Sequence, residues 1–327
     1  MSKKRNNNSN LFKIIILVIA VGIFGVKYLN EGFSTSDKFI NNQAKDNIIE
    51  NHKLSSNVVD AANGTYDNSN YEVNNTNDNN KHDAHNANNK NEDRANRSLS
   101  SDYHIPEYNS NRGGQIIVHK GFTLYYDADY KTPSWVGWHL TNQETMGSES
   151  RTDKFLPDPN VIGAKAYTTD YTRSGYDRGH MAPAADMKWD KKAMAESFYM
   201  TNICPQNPNL NRGDWNDLEE LSRDLAKKYG SLYITCGPIY DNKYPKRIGN
   251  NKVAVPDAFY KVIFIDHKSY TKAFGFIFNN KAGNRPLKNY IVTVDSIEKR
   301  VGIDFMPTLD KAIQDKIESE KHSSIPQ

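Results

Sequence analysis

Cysteine is nearly missing from this chain. Cys204 and Cys236 are the only two among 327 residues. Two cannot build a disulfide framework, and neither stands in a spacing that holds a metal. Both lie in apolar, strand-like runs, which reads as two buried free thiols; a single bridge between adjacent strands is the alternative in an oxidising compartment. Apolar residues are scarce as well, 37% of the total, too few for a chain packed along its whole length. Charge of one sign is lacking too. The formal net charge is +3, so no chain-wide basic field announces a nucleic-acid binder, and charge alone assigns no partner. No internal repeat is visible.

These shortages are local. Residues 1–30 carry five basic residues and no acidic one, and Lys3-Lys4-Arg5 precedes the apolar run Leu11 to Leu29. Its uncharged centre, Ile14 to Val26, has the length of a signal-peptide segment. With Lys13 and Lys27 snorkelling, the whole run crosses a bilayer once. No small-residue cleavage site follows, so residues 11–29 read as an uncleaved membrane anchor with its basic end in the cytoplasm, a secreted, cleaved form being the alternative. Residues 31–100 hold 18 asparagines in 70 positions. Such a stretch offers too little apolar surface to offset its ordering entropy and reads as a disordered tether. From Ser101 to Gln327 the balance is 30 basic against 28 acidic residues, as expected of one folded domain outside the cytoplasm.

Within that domain Gln115 to Val118 and Phe122 to Tyr126 read as a β-hairpin, and Trp135 to Leu140 as a further strand. Gly147 to Pro159 is a loop that carries Arg151. Phe198 to Ile203 is strand-like. Apolar residues at Trp215, Leu218, Leu221, Leu225 and Tyr229 mark one face of a helix that Gly230 closes. Strands follow at 232–235, 259–265, 271–278 and 290–294, with short helices at 295–301 and 309–319. Many strands and few helices make this an α+β domain on a largely antiparallel sheet.

Chemistry concentrates in Tyr176-Asp177-Arg178-Gly179-His180. Histidine takes and returns protons near neutrality. Arg178 presents a fork of donors suited to phosphate or carboxylate. Gly179 leaves the backbone free to turn or to be approached by a substrate. Downstream, Asn202-Ile203-Cys204-Pro205-Gln206 is followed by Leu210-Asn211-Arg212-Gly213-Asp214-Trp215 and Leu218-Glu219. Amides and carboxylates in that number, between hydrophobic anchors, suit a hard metal ion.

In the order and spacing of these motifs, from Gln115 to Pro307, the chain resembles the DNA/RNA non-specific endonucleases. These are the ββα-metal, or His-Me finger, group that includes secreted bacterial nucleases and mitochondrial endonuclease G. Cys236-Gly237-Pro238-Ile239-Tyr240 and Val255-Pro256-Asp257-Ala258-Phe259 extend the match. The resemblance implies a ββα-metal fold and hydrolysis of DNA and RNA to 5′-phosphate products. It implies His180 as general base and Asn211 as the single protein ligand of Mg²⁺, with Mn²⁺ as the substitute. Glu219 would orient metal-bound waters and relay a proton. Arg151 and Arg178 would contact phosphate, and Asn202 and Gln206 would support the site. Arg212 stands where the family carries glutamine and adds a phosphate contact.

From the residues alone Glu219 is equally an exposed helix acid paired with Arg223, one turn on. On one continuous helix Asn211 and Glu219 would be about 12 Å apart, so either water bridges them or Asn211 precedes the helix. Arg178 is expected to disfavour the imidazolium of His180, and the rate to fall below about pH 6 as that ring protonates. A membrane-tethered binding or uptake protein and a phosphodiesterase for small substrates are the competing functions.

Overall fold

In a computed structural model the described residues are 102–326, apart from Asn109, Asn111 and Ser269. The anchor expected at 11–29 and the tether expected at 31–100 lie outside them. Among the described residues no helix is long and apolar enough to cross a membrane.

In chain order the strands are β1 (Glu107–Tyr108), β2 (Gln115–Val118), β3 (Thr123–Asp127), β4 (Thr132–Thr141), β5 (Asp177–His180), β6 (Ile203–Gln206), β7 (Ser231–Ile239), β8 (Arg247–Ile248), β9 (Val253–Ala254), β10 (Ala258–His267), β11 (Tyr270–Asn279), β12 (Ile291–Val292) and β13 (Ile303–Asp304). The helices are α1 (Lys191–Glu196), α2 (Pro208–Arg212), α3 (Asp214–Tyr229), α4 (Val294–Val301) and α5 (Lys311–Ser319). Seven strands form one sheet in the order β12-β11-β10-β7-β4-β3-β2, every neighbouring pair antiparallel. The fold is α+β, the ββα-metal arrangement, with the hairpin-like pair β5–β6 and α3 set on the sheet.

The central strands are apolar almost continuously because both faces of the sheet are covered. Alternate residues of β10 divide between two cores. Phe259, Ile263 and Ile265 pack with Trp215, Leu218 and Leu225 of α3, and with Met181 and Cys204 beside the motif. Ala258, Tyr260, Val262 and Phe264 pack with Val294, Ile297 and Ile317 of α4 and α5. Each large side chain so buried stabilises the domain by roughly 1.5–3 kcal/mol. Lys261 breaks the series: it is 1% exposed and sits on the α3 face, its Nζ 4.2 Å from the Trp215 ring centroid.

Two local readings change, and one element is added. The stretch 198–203 is not a strand throughout; a 3-10 turn at Met200–Asn202 precedes β6. The motif itself is a strand, paired residue by residue with β6. The segment 290–294 is a two-residue strand, after which α4 begins at Val294 with the Thr293 hydroxyl capping Ser296 N. Cys204 and Cys236 are both free and buried.

Candidate active site

β5 and β6 pair Asp177 with Gln206 and His180 with Ile203, which fixes the motif against the sheet. Gly179 is required by close approach, but of the protein itself. A Cβ there would collide with the buried side chain of Gln206, so that space is not open to a substrate. The supporting role expected of Gln206 is thus a packing one. Asn202 lies beneath the site and is fully buried. Its Oδ1 accepts from Ala182 N at 2.9 Å, and its Nδ2 donates to Ala182 O at 2.8 Å and Ser197 O at 2.9 Å. All its bonds go to backbone, so Asn202 braces the turn after His180, in keeping with a supporting place.

His180 is 9% exposed, and its Nε2 is enclosed without a hydrogen-bond partner, which leaves Nδ1 as the nitrogen turned toward solvent. Burial pushes its pKa down to about 3. The Arg151 guanidinium adds to this, Asp153 opposes it, and Arg178 contributes least. The neutrality of the ring is therefore set mainly by desolvation, and Arg178 is a lesser cause than its place in the sequence implied.

Two phenylalanines supply that desolvation and also hold the arginines. The Phe155 and Phe198 rings lie 5.3 and 4.9 Å from the His180 ring and 5.1 Å from each other. The Arg178 guanidinium stacks on Phe155 at 4.5 Å and that of Arg151 on Phe198 at 4.9 Å. Stacking fixes the plane of each guanidinium while leaving its N–H edge to point outward. Arg151 Nε also donates to Asp153 Oδ1 at 2.6 Å. The loop that brings Phe155 is tied down by Leu156, whose N–H bonds Phe198 O and whose carbonyl accepts from Met200 N.

Asn211 sits in α2, which the Asn207 side chain caps and Pro208 opens. Gly213 separates α2 from α3, and a Cβ there would lie 2.7 Å from Asn209 O. Asn211 and Glu219 therefore do not share one helix, and the 12 Å separation does not apply. Asn211 Nδ2 donates to Asp177 Oδ2 at 3.0 Å, and Arg212 binds the same carboxylate through two bonds of 2.8 Å. The fork of Arg212 is thus occupied, and the phosphate contact expected of it is replaced by a brace on Asp177.

Glu219 is half-buried and does not pair with Arg223. Arg223 Nη1 donates instead to the buried Asp186 at 3.0 Å, whose other oxygen accepts from Trp138 Nε1. Burial raises Glu219 to about 7 against the positive charges of Lys261 and Arg223, with Asp186 adding to the rise. Lys261, Asp186, Phe155 and Phe198 all shape the site. None stood out in the sequence, because each looks like an ordinary strand, turn or core residue.

The donor set fits a hard cation with few protein ligands: Oδ1 of Asn211 accepts no hydrogen bond among the described residues, and a half-buried carboxyl stands on the next helix. Mg²⁺ retains several waters and suits so sparse a set. The described carboxylates close enough together to share an ion, Asp295, Glu298 and Glu318, belong to α4 and α5 on the opposite face of the sheet.

The sequence profile of the DNA/RNA non-specific endonucleases matches residues 99–312. The chain belongs to that family. It is 40% identical over 215 residues to mitochondrial nuclease EXOG of Xenopus laevis, which covers 60% of this chain and 59% of that protein. It is 33% identical over 209 residues to human mitochondrial endonuclease G, covering 60% of this chain and 70% of the relative. Thus this chain spans less than two thirds of the EXOG protein's length. A solved complex of EndoG with EndoGI superposes with a TM-score of 0.59 at 30% identity, over 64% of this chain and 91% of the other.

Proposed function

We propose that this chain is a metal-dependent endonuclease that hydrolyses phosphodiester bonds of DNA and RNA with little regard to sequence and leaves 5′-phosphates. One observation carries the proposal. A buried imidazole, held neutral near pH 7, lies between two stacked arginines, and helix α2, packed on the same strand β5, carries an amide oxygen left free for a cation. His180 takes the proton of the attacking water. Arg151 and Arg178 set their N–H edges on the non-bridging oxygens and stabilise the added charge of the transition state. Contacts to phosphate rather than to base edges account for indifference to sequence. Asn211 would hold Mg²⁺, with Mn²⁺ as the substitute, and the ion when bound supplies charge neutralisation at the phosphate. Glu219 exchanges a proton beside the leaving 3′-oxygen. Asn202 keeps the turn after His180 in place.

The test is incubation of the purified protein with circular DNA and with RNA, with and without Mg²⁺. Cleavage of both that EDTA abolishes, with 5′-phosphates found by end-labelling, is the expected result. Binding without cleavage, 3′-phosphate ends, or cleavage confined to small p-nitrophenyl esters would each refute it. The membrane-anchored or secreted placement read from residues 11–29 belongs to the same proposal. Fractionation tests it, since full-length protein in the cytosol would refute export.

A further inference from the structure

Next to Arg178 lies a cavity of about 140 Å³ lined by Thr168, Tyr171, Thr172, Tyr176, Asp177 and Arg178. Its side-chain acceptors and donors are unevenly used. The one carboxylate, Asp177, is engaged by Arg212 through both oxygens and by Asn211 through Oδ2. Two hydroxyls are also spent, Tyr171 donating to Ile203 O and Thr168 to Phe155 O.

Donors remain. Arg178 is exposed and stacks on Phe155 with no hydrogen bond of its own among the described residues. The Thr172 hydroxyl is likewise unbonded and exposed. Lys246 lies over the Tyr176 ring, 5.0 Å from its centroid, and its Nζ donates to the Tyr176 hydroxyl at 3.5 Å, so the phenol proton is left free to donate outward. A small polar cavity whose carboxylate is already held and whose free groups are one guanidinium and two hydroxyls, with the Lys246 ammonium on its Tyr176 wall, is built for an anion.

We propose that this cavity is a second phosphate subsite, which takes the backbone phosphate next to the scissile one. It rests on the nuclease reading in one respect, that the scissile phosphate lies at His180. Arg178 stands between the two positions, stacked on the same Phe155 that packs on His180. A strand laid across the site therefore meets His180 and Arg151 at one phosphate and Lys246, Tyr176 and Thr172 at its neighbour, with Arg178 shared between the two. This gives affinity for a continuous backbone without reading any base.

The dinucleotides TpT, pTpT and TpTp test the subsite, since each has one internal phosphodiester and the last two add a terminal phosphate on opposite sides. Binding is measured by NMR titration of the full-length protein in EDTA, where no cleavage intervenes. One of the two terminal phosphates is expected to tighten binding about 10-fold over TpT, the effect of one charge-assisted contact. Lys246→Ala should erase that gain, and Tyr176→Phe, which keeps the ring, should reduce it. Equal affinity of wild-type protein for all three ligands would overturn the subsite, as would a gain that survives in Lys246→Ala. Cleavage of circular DNA and of RNA with Mg²⁺ is scored separately. Its absence would refute the nuclease reading, while the titration would still decide whether the cavity binds phosphate.

Discussion

Asp177 and Asn211 come from strand β5 and helix α2, and one hydrogen bond of 3.0 Å joins them, Nδ2 of the amide to Oδ2 of the carboxylate. That bond decides which end of the amide faces the site. With Nδ2 committed to Asp177, Oδ1 must turn away from the carboxylate, which is the orientation a cation needs. Arg212 in turn holds Asp177 by a two-point contact, so the orientation is fixed twice.

Asp177→Asn should therefore weaken metal use more than it weakens chemistry. An outer partner of a metal ligand is worth about 10–100-fold in metal affinity. The Mg²⁺ concentration for half-maximal rate is expected to rise by about that factor, with most of kcat regained at saturation. Asn211→Ala should not be rescued by any Mg²⁺ concentration. An unchanged Mg²⁺ dependence in Asp177→Asn would show that Asn211 is oriented by other means.

His180 should not titrate near neutrality. Its pKa lies at about 3, against an unfolded value near 6.5, because burial disfavours the cation. The unfolded chain binds the extra proton between these values, so this group contributes stability above about pH 6.5 that is lost as pH falls toward 3. The base thus stays active in mild acid, and the loss of rate below pH 6 first expected from its protonation does not belong to this ring. NMR of the imidazole should show one neutral form from pH 8 down to about pH 4; a midpoint near 6.5 would contradict the structure. His180→Ala should lower kcat by about 10²–10⁴-fold.

An acid limb of the rate is expected from Glu219 instead, which burial raises to about 7. Its folded pKa exceeds the unfolded value near 4.5, so it contributes stability below about pH 4.5 that is lost as pH rises through 7. Where the carboxylate must be ionised, kcat/KM should fall as pH drops below about 7. Glu219→Gln should lower the rate and flatten that limb. A limb that persists unchanged in Glu219→Gln would assign it to another group.

Much of this was legible in the sequence. The hairpin of β2 and β3, helix α3 with its closing Gly230 and the long strands β10 and β11 all carry a clear period, because each buries one defined face or two. His180, Asn211 and Glu219 were singled out as candidates through motif order. What was missed depends on tertiary contact. Nothing near Phe155 in sequence points to His180, since a loop bound to residues 198–200 brings it there. Lys261 is an unremarkable strand lysine until the alternation of β10 puts it under Trp215. Arg223 and Glu219 have the spacing of a helix pair, yet buried Asp186 competes successfully for the guanidinium.

Phe155 offers a test of the aromatic support. Phe155→Leu keeps apolar cover over His180 but removes the π face beneath Arg178, a contact worth roughly 0.5–1 kcal/mol at an exposed site. KM for oligonucleotides should rise a few-fold with little change in the His180 titration. Phe155→Ala removes the cover too, and the His180 midpoint should move up toward its ordinary value. If both variants leave the titration and KM alone, the stacking has no part in the site.

His119 supplies the last prediction, which concerns what holds the Arg151 loop to the domain. Its ring is buried at the end of β2, with Nε2 bonded to Asp158 Oδ2 at 2.9 Å and Nδ1 3.7 Å from Glu196 Oε1. Asp158 Oδ2 also accepts from the Thr201 hydroxyl at 2.6 Å, one residue before the bracing Asn202. Burial by itself would lower the His119 pKa, but the hydrogen bond to Asp158 and the nearby carboxyls of Asp158 and Glu196 outweigh it and raise it. The same contacts hold both carboxyls below their ordinary range despite burial. A histidine with a raised folded pKa stabilises fully below about pH 6.5, and its contribution fades as pH climbs through the folded value. His119→Gln, which leaves the buried Asp158 carboxylate without its cation while Glu196 keeps Lys192, should cost about 3–5 kcal/mol near pH 6. Thermal melts of both proteins from pH 5 to 9 would show the gap narrowing toward the alkaline end. A gap that is constant or grows with pH would mean that His119 is neutral in the folded protein and acts by packing alone.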